Sequence, residues 1–318
     1  MCHTKSEVSK MISIAMTTYN GEKYLCEQLD SILSQTIHDF ELIVCDDCST
    51  DATVQILRKY ENNDNRIKVF VNEENLGFKR NFEKAIGFCS GEYIALSDQD
   101  DIWLPEHLEI LINNIDDFDL VGANAVLIDT NGNEVGVDML DVCDIEDLPK
   151  TQDGFEKFLM HNNIFQGCAC LVRKRLLSKC LPIPANVKFH DWWFAIVANS
   201  QNGVNWIKIP ILQYRQHGKN VTENNKYSVI QRTKNFFSKR KKKSKNSYLL
   251  ERISLLLEYK RFSRNPIECE NAIIYYKNRL KKSIKALPYF IRNYEDIYHS
   301  RHKKWGGVFM CKMMNLFI

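Results

Sequence analysis

Nowhere in this 318-residue chain do apolar residues run unbroken for the ~18 positions that a membrane-spanning helix needs. Met1 to Lys10 is polar and lacks the apolar core of a secretion signal, so the expected location is cytoplasmic. The eleven cysteines show no CxxC…CxxC pattern, which argues against a zinc framework. Most fall in apolar runs, as Cys45, Cys89 and Cys168 do, where a reduced thiol behaves as a small hydrophobe. Cys168-Ala169-Cys170 is a CxC, which on one strand would send both side chains to the same face. No GxGxxG follows the first apolar strand, which argues against a dinucleotide-dependent oxidoreductase. No internal repeat is visible, and the low-complexity run is Lys239-Arg240-Lys241-Lys242-Lys243-Ser244-Lys245.

What the chain has is a 44% hydrophobic composition, enough for a sizeable core, and a strand–helix alternation from Met11 onward. Strands are expected at Ile12–Met16, Phe40–Cys45, Ile67–Val71 and Tyr93–Leu96. Helices are expected between them at Tyr24–Gln35, Thr53–Tyr60 and Lys79–Cys89. That order predicts right-handed βαβ units and an α/β fold around a mostly parallel sheet. Further on, strands are expected at Val121–Ile128, Gly167–Val172 and Asn205–Ile211. Helices are expected at Pro105–Ile115, Asp153–His161, Arg173–Lys179, Leu249–Tyr259 and Ala272–Leu287, and from His190 to Asn199. The net charge of +3 hides a split: residues 226–318 carry +17 and the rest −14. The expected organisation is a body over 1–225 and a helical, basic region over 226–318.

Ligands of an open parallel sheet bind beyond the carboxyl ends of its strands. There the polar loops collect: Thr17–Gly21, Asp46–Asp51, Asn72–Arg80 and Ser97–Asp101. The last of these, Ser97-Asp98-Gln99-Asp100-Asp101-Ile102-Trp103, places three carboxylates at the end of a buried strand. Like charges so close raise one another's pKa, and a divalent cation removes the cost. Oxygen ligands suit Mg²⁺ or Mn²⁺, and such a metal points to a phosphate-bearing ligand. The plainer reading is a solvated turn capping the following helix.

These four loops, in this order, resemble the N-terminal half of a family 2 glycosyltransferase of GT-A fold. The likeness covers roughly residues 11–225. The Ser-Asp-Gln-Asp-Asp-Ile-Trp form is similar to that of bacterial rhamnosyltransferase-like members that build surface polysaccharides. The resemblance implies that Thr17 and Tyr19 line a nucleobase pocket and that Asp47 accepts from a base N3–H, as a carboxylate can from uracil or thymine. It places Arg80 near the nucleotide, Asp98 on the ribose, Asp100 on the metal and Asp101 toward the sugar. Arg215 would neutralise phosphate charge and His217 would complete the metal shell. Asp191 stands where the family has its catalytic base, usually the second acid of an (E/D)D pair; here His190 occupies the first position. The plain alternatives are helix capping for Asp191 and for one of Asp46 and Asp47, a core or wall role for Trp103, and Asp153 as a rival base.

The implied reaction is inverting transfer of a hexose or deoxyhexose, rhamnose among them, from a UDP- or dTDP-sugar to a growing, lipid-linked polysaccharide. The basic region then suits an anionic membrane surface at the inner face of the plasma membrane, or a second copy of the chain. The apolar and aromatic residues of 305–318 suit an interface in the same way. Nucleic acid is not an expected partner, despite the lysine run. Two rivals come from other classes: a non-catalytic nucleotide-sugar binding module, and a nucleic-acid-binding protein that uses the basic tail.

Overall fold

The computed structural model describes residues 11–217 and 240–297, apart from 144 and 146. The expected alternation opens the fold: β1 (Ile12–Thr18), α1 (Leu25–Leu33), β2 (Phe40–Asp46), α2 (Thr53–Asn63), β3 (Ile67–Val71), α3 (Phe78–Phe88) and β4 (Tyr93–Ser97). Then come β5 (Ile102–Trp103), α4 (His107–Asn114), β6 (Leu120–Ile128), β7 (Glu134–Asp138), α5 (Met139–Cys143) and α6 (Gln152–His161). A 3₁₀ turn at Gly167–Ala169 leads to β8 (Cys170–Arg173), α7 (Lys174–Cys180), α8 (His190–Ser200) and β9 (Val204–Arg215). The remaining described helices are α9 (Arg240–Tyr259), α10 (Pro266–Leu280), α11 (Leu287–Arg292) and α12 (Tyr294–Ile297).

One sheet carries all nine strands in the order β3-β2-β1-β4-β8-β6-β9-β5, with β7 beside β6. β3, β2, β1 and β4 pair in parallel, as do β6 and β9. β8 runs antiparallel between β4 and β6, and β5 is antiparallel to β9. Side-chain alternation divides the core into two layers. Ile12, Ile14 and Met16 of β1 face a layer with Leu29, Leu57 and Leu111 from α1, α2 and α4. Ala15 faces the other layer, with Phe82, Phe158 and Trp193 from α3, α6 and α8.

That second layer is completed by the C-terminal helices. Leu249, Leu256 and Tyr259 of α9 and Ile273 and Tyr276 of α10 are buried in it. Tyr259 donates to Glu156 at 2.8 Å, and the Arg252 guanidinium donates two hydrogen bonds, of 2.9 and 2.6 Å, to the carbonyl of His161. His161 is the last residue of α6, so a cation satisfies one of that helix's orphan carbonyls.

Two sequence expectations change here. Gly167–Val172 is not a single strand: Gly167–Ala169 is a 3₁₀ turn, so Cys168 and Cys170 point into opposite core layers. The expected helix Ala272–Leu287 instead starts at Pro266, with Asn265 capping the N–H of Glu268, and stops at Leu280. Lys282 takes a positive φ of 54°, which ends the helical path.

Candidate active site

The carboxyl ends of β1, β2 and β4 meet at one rim and open into a cleft of about 1140 Å³. The Gln99 side chain clamps two of the loops there. Its Oε1 accepts from the Tyr19 N–H at 2.8 Å and its Nε2 donates to the Tyr19 carbonyl at 3.1 Å. A Cβ at Gly21 would collide with that amide, so the clamp needs glycine there. The two acids that end β2 divide their roles. Asp46 is fully buried and accepts from Thr18 Oγ1 and from the hydroxyl and N–H of Ser49. Asp47 lines the cleft and accepts from the N–H groups of Leu76 and Gly77, at 2.8 and 2.9 Å, and from Asn72 Nδ2. Helix capping explains neither acid. Asp47 instead fixes the 72–77 loop against the pocket, with Gly77 at a φ of 78°.

The acidic centre lies at the end of β4. Asp98 and Asp100 line the cleft. Burial, then the charges of Asp100 and Asp191, push the Asp98 carboxyl up to about 7. Asp100 Oδ2 meets His217 Nε2 at 2.6 Å, and the His217 ring stacks on Tyr24 with 5.4 Å between centroids. Asp101 is turned inward and 1% exposed. Its Oδ1 accepts from the Arg215 N–H, its Oδ2 has no hydrogen-bond partner, and ligand atoms of Asp98, Asp101 and Cys168 lie within 4.8 Å of one another. Burial, then the charges of Asp100 and Asp98, raise the Asp101 carboxyl well above the usual range.

Arg215 is equally buried. Its Nε donates to the Asp100 carbonyl at 2.8 Å, its Nη2 pairs with Glu27 at 2.6 Å, and its guanidinium lies over the Tyr24 ring. β9 runs on to Arg215, beyond the expected end at Ile211, and brings Arg215 and His217 under the acidic loop.

Across the cleft, Asp191 stands in the first turn of α8. Its Oδ1 accepts from the Trp192 N–H at 2.6 Å and from Asn163 Nδ2 at 3.4 Å. Burial raises its carboxyl to about 6, against hydrogen bonds from Trp192, Gly167 and Asn163 that lower it. A proton acceptor with such a pKa is poised for general-base work near neutrality.

The structure therefore brings Thr17, Tyr19, Asp47, Asp98, Asp100, Asp191 and His217 to one cleft. It does not bring three expected residues there. Arg80 is half exposed on α3 and pairs with Glu83 one turn on. Asp101 and Arg215 sit behind the wall, bonded to each other through the Arg215 N–H. Asp153 is exposed on α6, 3.9 Å from Arg264. Trp103 is core, stacked on His107 at 3.8 Å. Sequence reasoning missed Gln99, the middle residue of the acidic motif. It also missed Tyr24, whose ring carries both Arg215 and His217, and Tyr248 and Arg252, which bring α9 into the cleft wall. Only contacts between distant segments reveal these.

The family model described as glycosyl transferase family 2 matches residues 13–181. The chain is 35% identical over 126 residues to UDP-Glc:alpha-D-GlcNAc-diphosphoundecaprenol beta-1,3-glucosyltransferase WfgD of Escherichia coli, covering 37% of this chain and 49% of that one. The chain spans less than half the length of several of the curated relatives it matches. Among solved structures it is similar to S. aureus TarS 1-349 in complex with UDP: TM-score 0.58, 21% identity, 90% of this chain and 80% of that one. It is also similar to the mannosyltransferase PcManGT of Pyrobaculum calidifontis in complex with GDP-Man and Mn2+: TM-score 0.53, 16% identity, 96% and 79% covered. These likenesses show the GT-A fold.

Proposed function

The chain belongs to glycosyl transferase family 2, and on that premise we propose that it moves a hexose or deoxyhexose from a UDP- or dTDP-sugar to a hydroxyl of a lipid-linked bacterial surface polysaccharide, with inversion. One observation carries the reading: the base candidate Asp191 faces Asp98 and Asp100 within a cleft that also holds the loops after β1 and β2. The glucosyltransferase relative acts on a diphosphoundecaprenol-linked sugar, which supports a lipid-linked acceptor here.

Thr17, Tyr19 and Asp47 receive the nucleobase, Asp47 with the lone pairs left by its three N–H partners. Asp98, Asp100 and His217 suit a divalent cation, Mg²⁺ or Mn²⁺. They offer hard oxygen donors and an imidazole, and burial together with the charges of Asp100 and Asp191 disfavours ionisation of Asp98, a cost that a bound cation would remove. When bound, such an ion stabilises the departing nucleoside diphosphate as a Lewis acid. Arg215 and Asp101 hold the acidic loop from behind. Asp191 takes the proton of the attacking acceptor hydroxyl, and direct displacement inverts the anomeric carbon. We further propose that the basic region rests on anionic lipid at the inner face of the plasma membrane.

Calorimetry with UDP, dTDP, GDP and ADP, each with and without Mn²⁺, tests the donor half. Tight, metal-dependent binding of UDP or dTDP is expected. Binding of none of the four would remove the basis of the proposal. Asp100→Ala should abolish the metal-dependent part of binding.

A further inference from the structure

His190, the first residue of α8 and the neighbour of Asp191, is 9% exposed and lines the cleft. Its Nε2 is buried without a hydrogen-bond partner, and among the described residues nothing bonds to Nδ1 either. The ring is held in place by aromatics: Phe82 at 4.5 Å, Phe194 at 6.0 Å and Phe78 at 6.1 Å between centroids. On its remaining side is Gly167, where a Cβ would come within 2.8 Å of Nε2. The absence of a side chain at 167 thus makes room for the imidazole.

Burial, then the charge of Lys79, lowers its pKa to about 4, so the ring is neutral at physiological pH. Its place at a helix N-terminus also disfavours a cation. A neutral imidazole has one N–H to donate and one lone pair to accept with. Buried polar groups of this kind normally find a partner, and a core histidine would find it in the protein. Here the position is telling. Phe78 and Phe82 belong to α3, which packs beside the nucleotide loop at 72–77, while Asp191 is the base candidate. The imidazole packs on Phe82 and adjoins Asp191, so it lines the stretch of cleft wall between the two, which a donor's sugar would face if its nucleotide is on one side and its attacker on the other.

We propose that His190 reads the transferred sugar, through a hydrogen bond between its imidazole and a hydroxyl or acylamino oxygen of the donor's pyranose. The inference rests on the glycosyltransferase reading and names the part of the donor that this residue recognises. A neutral group here, unlike a carboxylate, does not repel a donor whose facing atoms are acceptors only.

The test compares wild type with His190→Phe, which keeps an aromatic ring of similar size, and His190→Gln, which keeps one donor and one acceptor. Calorimetry with Mn²⁺ measures UDP against UDP-glucose, UDP-N-acetylglucosamine and UDP-galactose, and thermal melting follows stability. His190→Phe should bind UDP as wild type does and lose about 2- to 10-fold of the extra affinity for the preferred UDP-sugar, as one neutral hydrogen bond allows. His190→Gln should recover part of it or change the order of the three sugars. If His190→Phe keeps the full sugar increment, the inference is overturned. A lower melting temperature with equal losses for UDP and UDP-sugars assigns the residue to packing and overturns it too. Wild type that binds neither these ligands nor dTDP would instead remove the basis of the donor reading, and with it this inference.

Discussion

At the scale of single residues, Asp191 makes the sharpest predictions. Because it must be deprotonated to act as a base, kcat/KM should fall about tenfold per pH unit below pH 6 and level off above it. A profile without an acid limb near 6 would contradict the assignment. Asp191→Asn should retain nucleotide binding while turnover drops by at least 100-fold, on the order of a general base's contribution. Its effect on stability has the opposite sign. The folded pKa of about 6 exceeds the ordinary 3.8, so the folded state holds the proton more tightly. Stability from this group is full below pH 4 and is lost as pH rises through 6. The Asn variant, which cannot ionise, should therefore be the more stable protein at pH 8, by on the order of 1–3 kcal/mol in urea melts. Arg215 makes a different prediction: it does not line the cleft, yet Arg215→Gln should weaken Mn²⁺-dependent nucleotide binding about tenfold. The loss would come through release of the Asp100 carbonyl and Glu27, and unchanged metal dependence would count against that role.

At the scale of elements, the sequence was legible where local patterning decides. β3 begins and ends at the expected residues, β1, β2 and β4 begin as expected and end one or two residues later, and α1 and α3 shift by one or two residues at each end. Period and turn chemistry suffice for βαβ units. The two-residue β5 and the polar β7 were not legible, because they exist only as partners of β9 and β6. The site follows the same division. The loops after β1, β2 and β4 could be read in order, but the inward turn of Asp101 and the outward turn of Arg80 depend on β9 and on Glu83. α9 illustrates the cost of reading the tail as an appendage: Leu256 is fully buried in the shared core layer. Leu256→Ala should destabilise the whole protein by about 2–5 kcal/mol in a single unfolding transition. A separate, early transition would show that the C-terminal helices unfold on their own.

At the scale of the molecule, charge and packing must be tested apart. Deleting 226–318 would strip apolar cover from α6 and α8, so a loss of membrane binding in that truncation would be ambiguous. Replacing the lysines and arginine of 239–245 by glutamine leaves Leu249, Leu256 and Tyr259 unchanged. That variant should bind phosphatidylserine vesicles more weakly by ~1 kcal/mol per charge removed near the surface, with nucleotide affinity unchanged. Equal partitioning of variant and wild type would remove the membrane role.

The burial of α9 and α10 against the body has a consequence for biosynthesis. A ribosome delivers the nucleotide loops first and the residues that cover α6 and α8 last. Until Tyr259 reaches Glu156, a growing chain displays an uncovered apolar face and a cleft without its Tyr248 and Arg252 wall. Such intermediates are the species that chaperones hold and that aggregate when crowded. Premature termination before α10 should therefore leave a chain with exposed apolar surface, prone to aggregation and degradation.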